Sequence, residues 1–248
     1  MKYLGGKQRL GKHIAPILKE YWNEDLNGYL EPFCGALGVL KHMTDLPTTV
    51  YASDYHPDLI QMWKEVQQNK FIYPNSISEE EYNNSKMFKS PNAMKSFIGF
   101  GMSFGGRYYG AYSDKYLGEK KENFCKEMIN SLERIRPKIS EVKFDTKDYS
   151  ELNPKGKLIY CDPPYKETRY PIKYRREVKK YDEFDNEEFW EVMRNWSKKN
   201  VVIISETSAP SDFECIWEKE IGRSASKSKN TKKIEKIRSE KLYKMKSN

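Results

Sequence analysis

Helical and extended patterns alternate along the first 70 residues, and this alternation restricts the fold more than any other feature of the chain. Apolar residues at helical spacing predict a helix over residues 7–22, and Pro57 suits the first turn of a further helix. Between them lie two β-rich segments, 28–33 and 48–53, with a short helix predicted at 39–43. Strands that alternate with helices form a parallel sheet covered by helices, so the sequence predicts an α/β fold.

The later part of the chain extends this pattern after an interruption. Residues 71–118 are rich in glycine and aromatic residues, and we expect them to form an inserted region of irregular structure in a domain made of residues 1–70 and 119–248. The elements predicted after the insertion are helices at 119–135 and 184–199, strands at 142–144, 157–161 and 201–205, and an antiparallel pair of strands at 213–221 and 237–244.

Composition excludes several classes of protein. Aromatic residues make up 14% of the chain, which argues against a disordered polyelectrolyte despite a charged fraction of 32%. No apolar run reaches the roughly 18 residues that a membrane span needs, and the N-terminus lacks the apolar segment of a secretory signal. The four cysteines lack metal-ligand spacing, so we expect no metal site and a reduced, intracellular environment.

Positive charge is concentrated in two segments. The net charge is +8, and residues 222–248 hold ten basic and two acidic residues, which equals the whole excess. Residues 166–180 hold seven basic and two acidic residues together with two tyrosines. Basic side chains mixed with aromatic rings suit phosphates and exposed bases. The two segments therefore indicate a polyanionic partner, although a solubilising surface is an equal alternative for the C-terminal segment taken alone.

The segment Leu158-Ile-Tyr-Cys-Asp162-Pro163-Pro164-Tyr165 is the most informative motif. An apolar strand delivers Asp162 at its C-terminal end, where ligand sites in open α/β sheets lie, and two prolines then fix the backbone. The Asp162 carboxylate and the Pro163 carbonyl offer two hydrogen-bond acceptors, and Tyr165 offers an aromatic face. These groups match an exocyclic amine on a planar base.

A second motif, Glu31-Pro-Phe-Cys-Gly-Ala-Leu-Gly38, follows the first predicted strand. Glycines at this place let a cofactor approach the backbone closely. Asp54 ends the next strand about 20 residues later, where an acid binds the ribose hydroxyls of a nucleoside cofactor. The glycine spacing differs from the dinucleotide pattern G-x-G-x-x-G, so a pyrophosphate is not indicated.

Together these motifs resemble the Dam-like (D12) class of DNA adenine-N6 methyltransferases, especially the compact versions found in bacteriophages. The resemblance covers most of the chain and follows the family's motif order, from Tyr3-Leu-Gly-Gly-Lys7 through the glycine motif, Asp54, the insertion and Asp148-Tyr149 to Asp162-Pro-Pro-Tyr165. It departs where Ala36-Leu37 places the second glycine of the family's F-x-G-x-G pattern one position later. The fold implied is a Rossmann-like S-adenosylmethionine-dependent methyltransferase fold, mostly parallel, with helices on both faces of the sheet and an inserted target-recognition region.

Carried over position by position, the resemblance implies S-adenosylmethionine as the cofactor and names residues for each task. Those implied for cofactor binding are Tyr3, Gly5, Gly6, Lys7, Glu31, Pro32, Phe33, Cys34, Gly35, Asp54, Asp148, Tyr149 and Asp162. Those implied for catalysis are Asp162, Pro163, Pro164 and Tyr165. Contacts with DNA are expected from Arg107 and Lys115 in the insertion, from Arg169, Lys173, Arg175 and Arg176, and from Lys227, Lys229, Lys232 and Lys233.

The activity implied is direct methyl transfer to N6 of an adenine flipped out of double-stranded DNA, with no metal and no covalent intermediate. A cognate restriction endonuclease is a compatible partner, as in a restriction-modification system. The default expectations are a monomer and the cytoplasm of a bacterium or a phage-infected cell.

Three alternatives remain open on the sequence alone. Methyltransferases of RNA bases and of glutamine side chains also have Pro-Pro-Tyr loops, although usually with Asn at the position of Asp162. Cytosine-N4 methyltransferases more often have Ser there. The third alternative is a DNA-binding protein of the same fold that has lost catalysis, against which intact Asp54 and Tyr165 argue. Cofactor binding without turnover would distinguish it.

Overall fold

A seven-stranded, mostly parallel sheet organises the chain. The computed structural model describes residues 1–113, 123–165, 184–221 and 238–246, together with the backbone of two short strands between the first two ranges. The strands are β1 (Tyr29–Glu31), β2 (Val50–Asp54), β3 (Tyr116–Leu117), β4 (Lys120–Lys121), β5 (Lys143–Thr146), β6 (Leu158–Cys161), β7 (Val201–Glu206), β8 (Phe213–Ile221) and β9 (Arg238–Met245). The sheet has the order β5-β2-β1-β6-β7-β9-β8, and β3 pairs with β4 separately.

Helices cover both faces of this sheet. The helices in the part of the chain that the structure describes are α1 (Gly11–Glu20), α2 (Pro57–Gln67), α3 (Glu79–Ser85), α4 (Ala93–Gly101), α5 (Phe124–Ile135) and α6 (Asn186–Ser197). Successive side chains of a strand point to opposite faces. Leu158 of β6 accordingly joins the cluster that contains Leu18 of α1, whereas Ile159 joins the cluster that contains Phe189 of α6. The predicted α/β sheet with helices on both faces is therefore confirmed.

One edge of the sheet gathers acidic residues. Strands β1, β2, β6 and β7 are parallel, so their C-terminal ends lie along the same edge. Strand β9 runs antiparallel to β7, with Glu206 paired to Lys241, so the beginning of β9 lies at this edge as well. The predicted antiparallel pair of β8 and β9 is confirmed, and it brings Glu240 to the same place as the end of β6.

Several helices are shorter than the sequence predicts. The helix expected from residue 7 begins at Gly11, because residues 7–10 form a turn in which the Lys7 carbonyl accepts the amide hydrogens of Leu10 and Gly11. The segment predicted as a helix at 39–43 is a short 3₁₀ turn, Leu40–His42. The helix expected from residue 119 begins only at Phe124, where the Asn123 side chain accepts the Lys126 amide hydrogen at 2.9 Å.

The insertion is more regular than predicted. It contains α3 and α4, and Phe97 and Phe100 of α4 belong to the same hydrophobic cluster as α2. The sequence did not predict α4 because this helix contains two glycines, Gly99 and Gly101, which have low helix propensity. A Cβ at Gly99 would lie 2.5 Å from the Tyr108 ring, so the packing of that ring accounts for this glycine and outweighs its low helix propensity.

A buried carboxylate ties the insertion to α2. Asp58 in the first turn of α2 is 3% exposed and accepts hydrogen bonds from the Ser90 hydroxyl, the Asn92 amide and the Tyr108 hydroxyl at 3.0, 2.7 and 2.8 Å. These three bonds fix Ser90, Asn92 and Tyr108 of the insertion against α2. Among the residues described, no helix combines the length and apolar character needed to cross a bilayer.

Candidate active site

Two residues far apart in the sequence meet at the C-terminal end of β6. Asp162 follows β6 directly, and its Oδ1 accepts a hydrogen bond from Lys7 Nζ at 2.7 Å. The Lys7 side chain is 8% exposed and that of Asp162 is 18% exposed. Asp162 is therefore held by an ion pair and still has a surface that a ligand can reach. Pro163 is buried behind it, and Pro164 and Tyr165 are half-buried.

A second carboxylate lies against the same ammonium. Glu240 of β9 is 5% exposed, and its Oε1 lies 3.3 Å from Lys7 Nζ. The same oxygen accepts hydrogen bonds from the Ser205 hydroxyl at 2.7 Å and from the Tyr165 hydroxyl at 2.5 Å. Lys7 Nζ also lies 4.5 Å from the centroid of the Tyr165 ring. Lys7, Asp162, Tyr165, Ser205 and Glu240 thus form one buried network, which we call the Lys7 network.

The charges in this network follow from burial and from the neighbours. Burial lowers the pKa of Lys7, but the carboxylates of Asp162 and Glu240 raise it above its ordinary value, so Lys7 is charged. Burial raises the pKa of Asp162 to about 6, the Lys7 ammonium opposes this rise, and the Glu240 carboxylate adds to it. Asp162 is consequently an anion, and hence a hydrogen-bond acceptor, at neutral pH.

Close backbone packing places Lys7 at the site. A Cβ at Gly38 would lie 2.8 Å from the Lys7 carbonyl carbon and 3.0 Å from the Lys7 nitrogen, which no side chain allows. The Gln8 side chain adds a hydrogen bond of 2.7 Å to the Ala36 carbonyl oxygen. Gly38, displaced by one position from the family pattern, therefore lets the N-terminal segment dock onto the glycine motif.

Asp54 supports the glycine motif from the end of β2. Gly35 has a φ of +46°, a region that favours glycine, and its amide donates to Asp54 Oδ2 at 3.0 Å. Asp54 Oδ1 accepts the amide hydrogen of His56, also at 3.0 Å. Burial raises the pKa of Asp54 to about 6. Because each carboxylate oxygen has two lone pairs, each oxygen of Asp54 keeps one lone pair beyond the hydrogen bond described.

The residues at the end of β1 and the start of the glycine motif are mostly buried. Glu31 is 2% exposed, and its carboxyl accepts the Tyr29 hydroxyl at 2.6 Å. Burial raises the pKa of Glu31 well above its ordinary range, and the hydrogen bond from Tyr29 opposes this rise. Pro32 and Cys34 are buried as well, and burial raises the pKa of the Cys34 thiol, which makes it an inert packing residue.

Three aromatic rings pack together next to the glycine motif. The half-buried Phe33 ring lies 5.1 Å from the Tyr149 ring and 6.2 Å from the Phe184 ring, measured between centroids. Asp148, immediately before Tyr149, accepts hydrogen bonds from the Ser150 amide and hydroxyl and so begins a 3₁₀ turn. The structure thus brings together Phe33, Asp148 and Tyr149, which the resemblance assigns to the cofactor.

The N-terminal motif joins the glycine motif to the insertion. A Cβ at Gly35 would lie 3.1 Å from the Tyr3 ring, and the Leu4 amide donates to the Gly106 carbonyl at 3.1 Å. Gly5 has a φ of +78°, and Gly6 closes the turn by donating to the Tyr3 carbonyl. Arg107 follows Gly106 directly and is half-buried, so the structure places it beside the N-terminal motif.

The other basic residues predicted to contact DNA lie outside the described residues. They are Lys115, Arg169, Lys173, Arg175, Arg176, Lys227, Lys229, Lys232 and Lys233, and with them the segments 166–180 and 223–236.

Sequence reasoning missed a basic groove of about 610 Å³, which is lined by Lys2, Lys41, His42, Arg134 and Lys138 among others. Burial lowers the pKa of Lys41, and the nearby cations Lys138 and Arg134 lower it further. In the part of the chain that the structure describes, no carboxylate pairs with Lys41, Arg134 or Lys138.

Glu240 is the other residue that sequence reasoning missed. It is one of only two acids in residues 222–248, the most basic stretch of the chain, and that composition indicates no role for it. The predicted antiparallel strand could have indicated Glu240. The beginning of such a strand lies beside the C-terminal ends of the parallel strands, where the other site residues lie. Within the described ranges, no group of three or more His, Cys, Asp or Glu side chains is arranged to hold a metal ion.

Comparison with known families gives one match. The model of the D12 class N6 adenine-specific DNA methyltransferase family matches residues 3–96 and 103–240. The matched ranges include Tyr3, both motifs at the edge of the sheet and Glu240. No curated protein matches the chain.

Proposed function

The chain belongs to the D12 class N6 adenine-specific DNA methyltransferases, and on this basis we propose that it transfers the methyl group of S-adenosylmethionine to N6 of an adenine flipped out of duplex DNA. The observation that carries the proposal is the placement of the Asp162 carboxylate. It follows β6 at the ligand-binding edge of the sheet, is ionised at neutral pH and keeps 18% of its side-chain surface exposed.

Asp162 supports the proposed reaction as an acceptor. The exocyclic amine of adenine has two N–H bonds, and the Asp162 carboxylate and the Pro163 carbonyl accept them. These hydrogen bonds raise the electron density at N6. Asp162 then takes the proton that the amine loses, for which its pKa of about 6 is suitable.

The residues along the edge fit S-adenosylmethionine. Asp54 retains lone pairs for ribose hydroxyls, Phe33 offers a half-buried ring for the purine, and the ionised carboxylates of the site suit a cationic ligand. When bound, this cofactor would supply an electrophilic methyl group, whose carbon would bond to N6 as the carbon–sulfur bond breaks with its electron pair left on sulfur.

The Tyr165 ring supports stacking of the flipped base. Its hydroxyl is fixed by Glu240 at 2.5 Å, and the ring is only half-buried. Stacking on an aromatic ring contributes about 1–3 kcal/mol per base, which offsets part of the cost of unstacking the adenine from the duplex.

Binding of DNA is supported by charge. The protein has a net charge of +8, and the basic groove presents several cations next to the N-terminal motif. We assign phosphate contacts to this groove and target recognition to residues 71–118, with residues 166–180 as an additional contact segment. The Leu4–Gly106 hydrogen bond joins the insertion to the segment that contains Lys7, so recognition and chemistry are physically adjacent.

The test is transfer from labelled S-adenosylmethionine to unmethylated duplex DNA, followed by digestion to nucleosides. We expect the label in N6-methyldeoxyadenosine, with Asp162→Ala inactive and Asp25→Ala, a change at an exposed loop residue, unaffected. Label in N4-methyldeoxycytidine, or label only in RNA offered in parallel, would contradict the proposed substrate. Cofactor binding with no label in any nucleic acid would contradict the proposed activity.

A further inference from the structure

Glu240 concentrates contacts from three separate parts of the chain on a single oxygen. Its Oε1 lies 2.7 Å from the Ser205 hydroxyl at the end of β7, 2.5 Å from the Tyr165 hydroxyl after β6, and 3.3 Å from Lys7 Nζ in the N-terminal segment. The side chain of Glu240 is 6% exposed. The Tyr160 hydroxyl donates to the Ser205 hydroxyl at 2.9 Å, which fixes the orientation of that donor. These contacts hold the Glu240 carboxylate next to Lys7 and Tyr165, the two side chains that flank Asp162.

This arrangement answers a difficulty in the proposed reaction. Lys7 Nζ donates to Asp162 Oδ1 at 2.7 Å. In the proposed reaction the adenine amine donates to the same carboxylate, so the two donors compete for it. If Asp162 were the single anion near Lys7, a shift of Asp162 towards the amine would weaken the Lys7–Asp162 ion pair. A buried ammonium without a close anion is unfavourable in free energy. Glu240, at 3.3 Å from the ammonium, is a second anion already in position.

We infer that Glu240 is a positioning residue for methyl transfer, which keeps the Lys7 ammonium and the Tyr165 ring in place while Asp162 engages the adenine amine. This inference rests on the proposed function. Glu240 acts through its neighbours and does not touch the base itself. It also leaves two carboxylates against one ammonium, so the network has a net negative charge where positive charge develops on N6 during the transfer.

The inference predicts a change in pH dependence. The titratable groups around Asp162 come from every element packed against it, and besides Glu240 they are Lys7, Glu31, Tyr160, Cys161, Tyr165 and Glu206. The Glu240 carboxylate raises the pKa of Asp162, and Lys7 lowers it. Removing the charge of Glu240 therefore lowers the pKa of Asp162. The acid limb, which is the part of the pH profile where the methyl-transfer rate rises to its plateau, moves to lower pH.

The test is single-turnover methyl transfer to duplex DNA as a function of pH for Glu240→Gln, a substitution close in shape. We expect the plateau rate to fall about 10- to 100-fold. The acid limb should move to lower pH, and the binding of S-adenosylmethionine should stay within about threefold of wild type. Glu214→Gln, the same change at an exposed position of β8, serves as the control and should behave as wild type.

Two charge-conserving variants separate the position of the Glu240 carboxylate from its charge. Glu240→Asp retracts the carboxylate, and Ser205→Ala removes one of its hydrogen bonds. Both should lower the plateau rate and leave the acid limb where it is in the wild type. If Glu240→Gln fails to fold, a wild-type plateau rate in Glu240→Asp overturns the inference.

The remaining outcomes are also decisive. A Glu240→Gln enzyme with the wild-type plateau and acid limb overturns the inference while leaving the proposed function intact. A slower Glu240→Gln enzyme with a lower melting temperature but an unmoved acid limb assigns Glu240 a structural role and overturns it too. Failure of the wild type to form N6-methyldeoxyadenosine removes the proposed function, and the inference with it.

Discussion

The ammonium of Lys7 lies 2.7 Å from Oδ1 of Asp162, joining residues that are 155 positions apart in the sequence. The resemblance assigns Lys7 to the cofactor and Asp162 to the adenine amine. Their direct contact means that Lys7 lowers the pKa of the proposed acceptor, against the effect of burial. Under the proposed function, one ion pair would therefore join the cofactor site to the adenine site.

Replacement of Lys7 should raise the pKa of Asp162. In Lys7→Gln the opposing ammonium is gone, while burial and Glu240 still favour the neutral acid. We expect the acid limb of the single-turnover rate to move to higher pH by about 1–3 units, the usual effect of an adjacent cation on a carboxyl. Lys198→Gln, at an exposed lysine that follows α6, is the control. An acid limb at the wild-type pH in Lys7→Gln would show that this ion pair does not govern Asp162.

The hydroxyl and the ring of Tyr165 should be separable. Tyr165→Phe loses the hydrogen bond to Glu240 but keeps the ring, so kcat/KM should fall only a few-fold. Tyr165→Ala loses the stacking face as well, and a decrease of about 10- to 100-fold corresponds to the 1–3 kcal/mol that stacking contributes. Equal losses in the two variants, measured on the same duplex, would assign the role to the hydroxyl.

The basic groove should contribute to the salt dependence of DNA binding. Each phosphate contact adds about 0.9 to the slope of log affinity against log salt concentration. The double variant Lys41→Gln/Lys138→Gln should reduce that slope by up to about 2 and weaken binding uniformly across sequences. Lys155→Gln/Lys198→Gln removes the same charge at exposed positions elsewhere and should leave the slope unchanged. Equal slopes for the two double variants would exclude the groove from the DNA interface.

His56 should make the fold sensitive to acid. Its Nδ1 accepts the Leu59 amide hydrogen at the start of α2, and burial lowers its pKa to about 4. The unfolded chain binds the His56 proton near its ordinary pKa of about 6.5, so folding stability falls as the pH drops below that value. Between pH 7 and pH 5 the wild type should lose about 2 kcal/mol more unfolding free energy than His56→Asn, which keeps a capping side chain without titrating.

Urea unfolding at the two pH values measures this difference. His13→Asn, at a partly exposed histidine of α1, should follow the wild type. If the wild type and His56→Asn lose the same free energy between pH 7 and pH 5, His56 is not neutral and buried as the structure places it.

Local sequence patterns predicted the strands at the edge of the sheet and the motifs at their ends. Asp54 and Asp162 could be placed because Asp54 ends a β-rich segment and Asp162 directly follows an apolar strand, and strand ends define the ligand edge of an α/β sheet. The pairing of Lys7 with Asp162 could not be predicted from spacing, because it depends on how closely Gly38 lets the N-terminal segment approach.

Two other features needed the three-dimensional structure. The side of the sheet that Glu240 faces depends on the register of β9 against β7, and a shift by one residue would turn its side chain to the other face. The regularity of α4 depends on rings that pack against its glycines, which local propensity does not register.

The most direct test of the account is the pH dependence of single-turnover methyl transfer by the wild-type enzyme, with the product identified as a nucleoside at each pH. We expect N6-methyldeoxyadenosine throughout and a rate that rises with a midpoint near pH 6, the pKa of Asp162 between its two charged neighbours. A rate that is flat from pH 5 to pH 8, or a methyl group on any atom other than adenine N6, would contradict it.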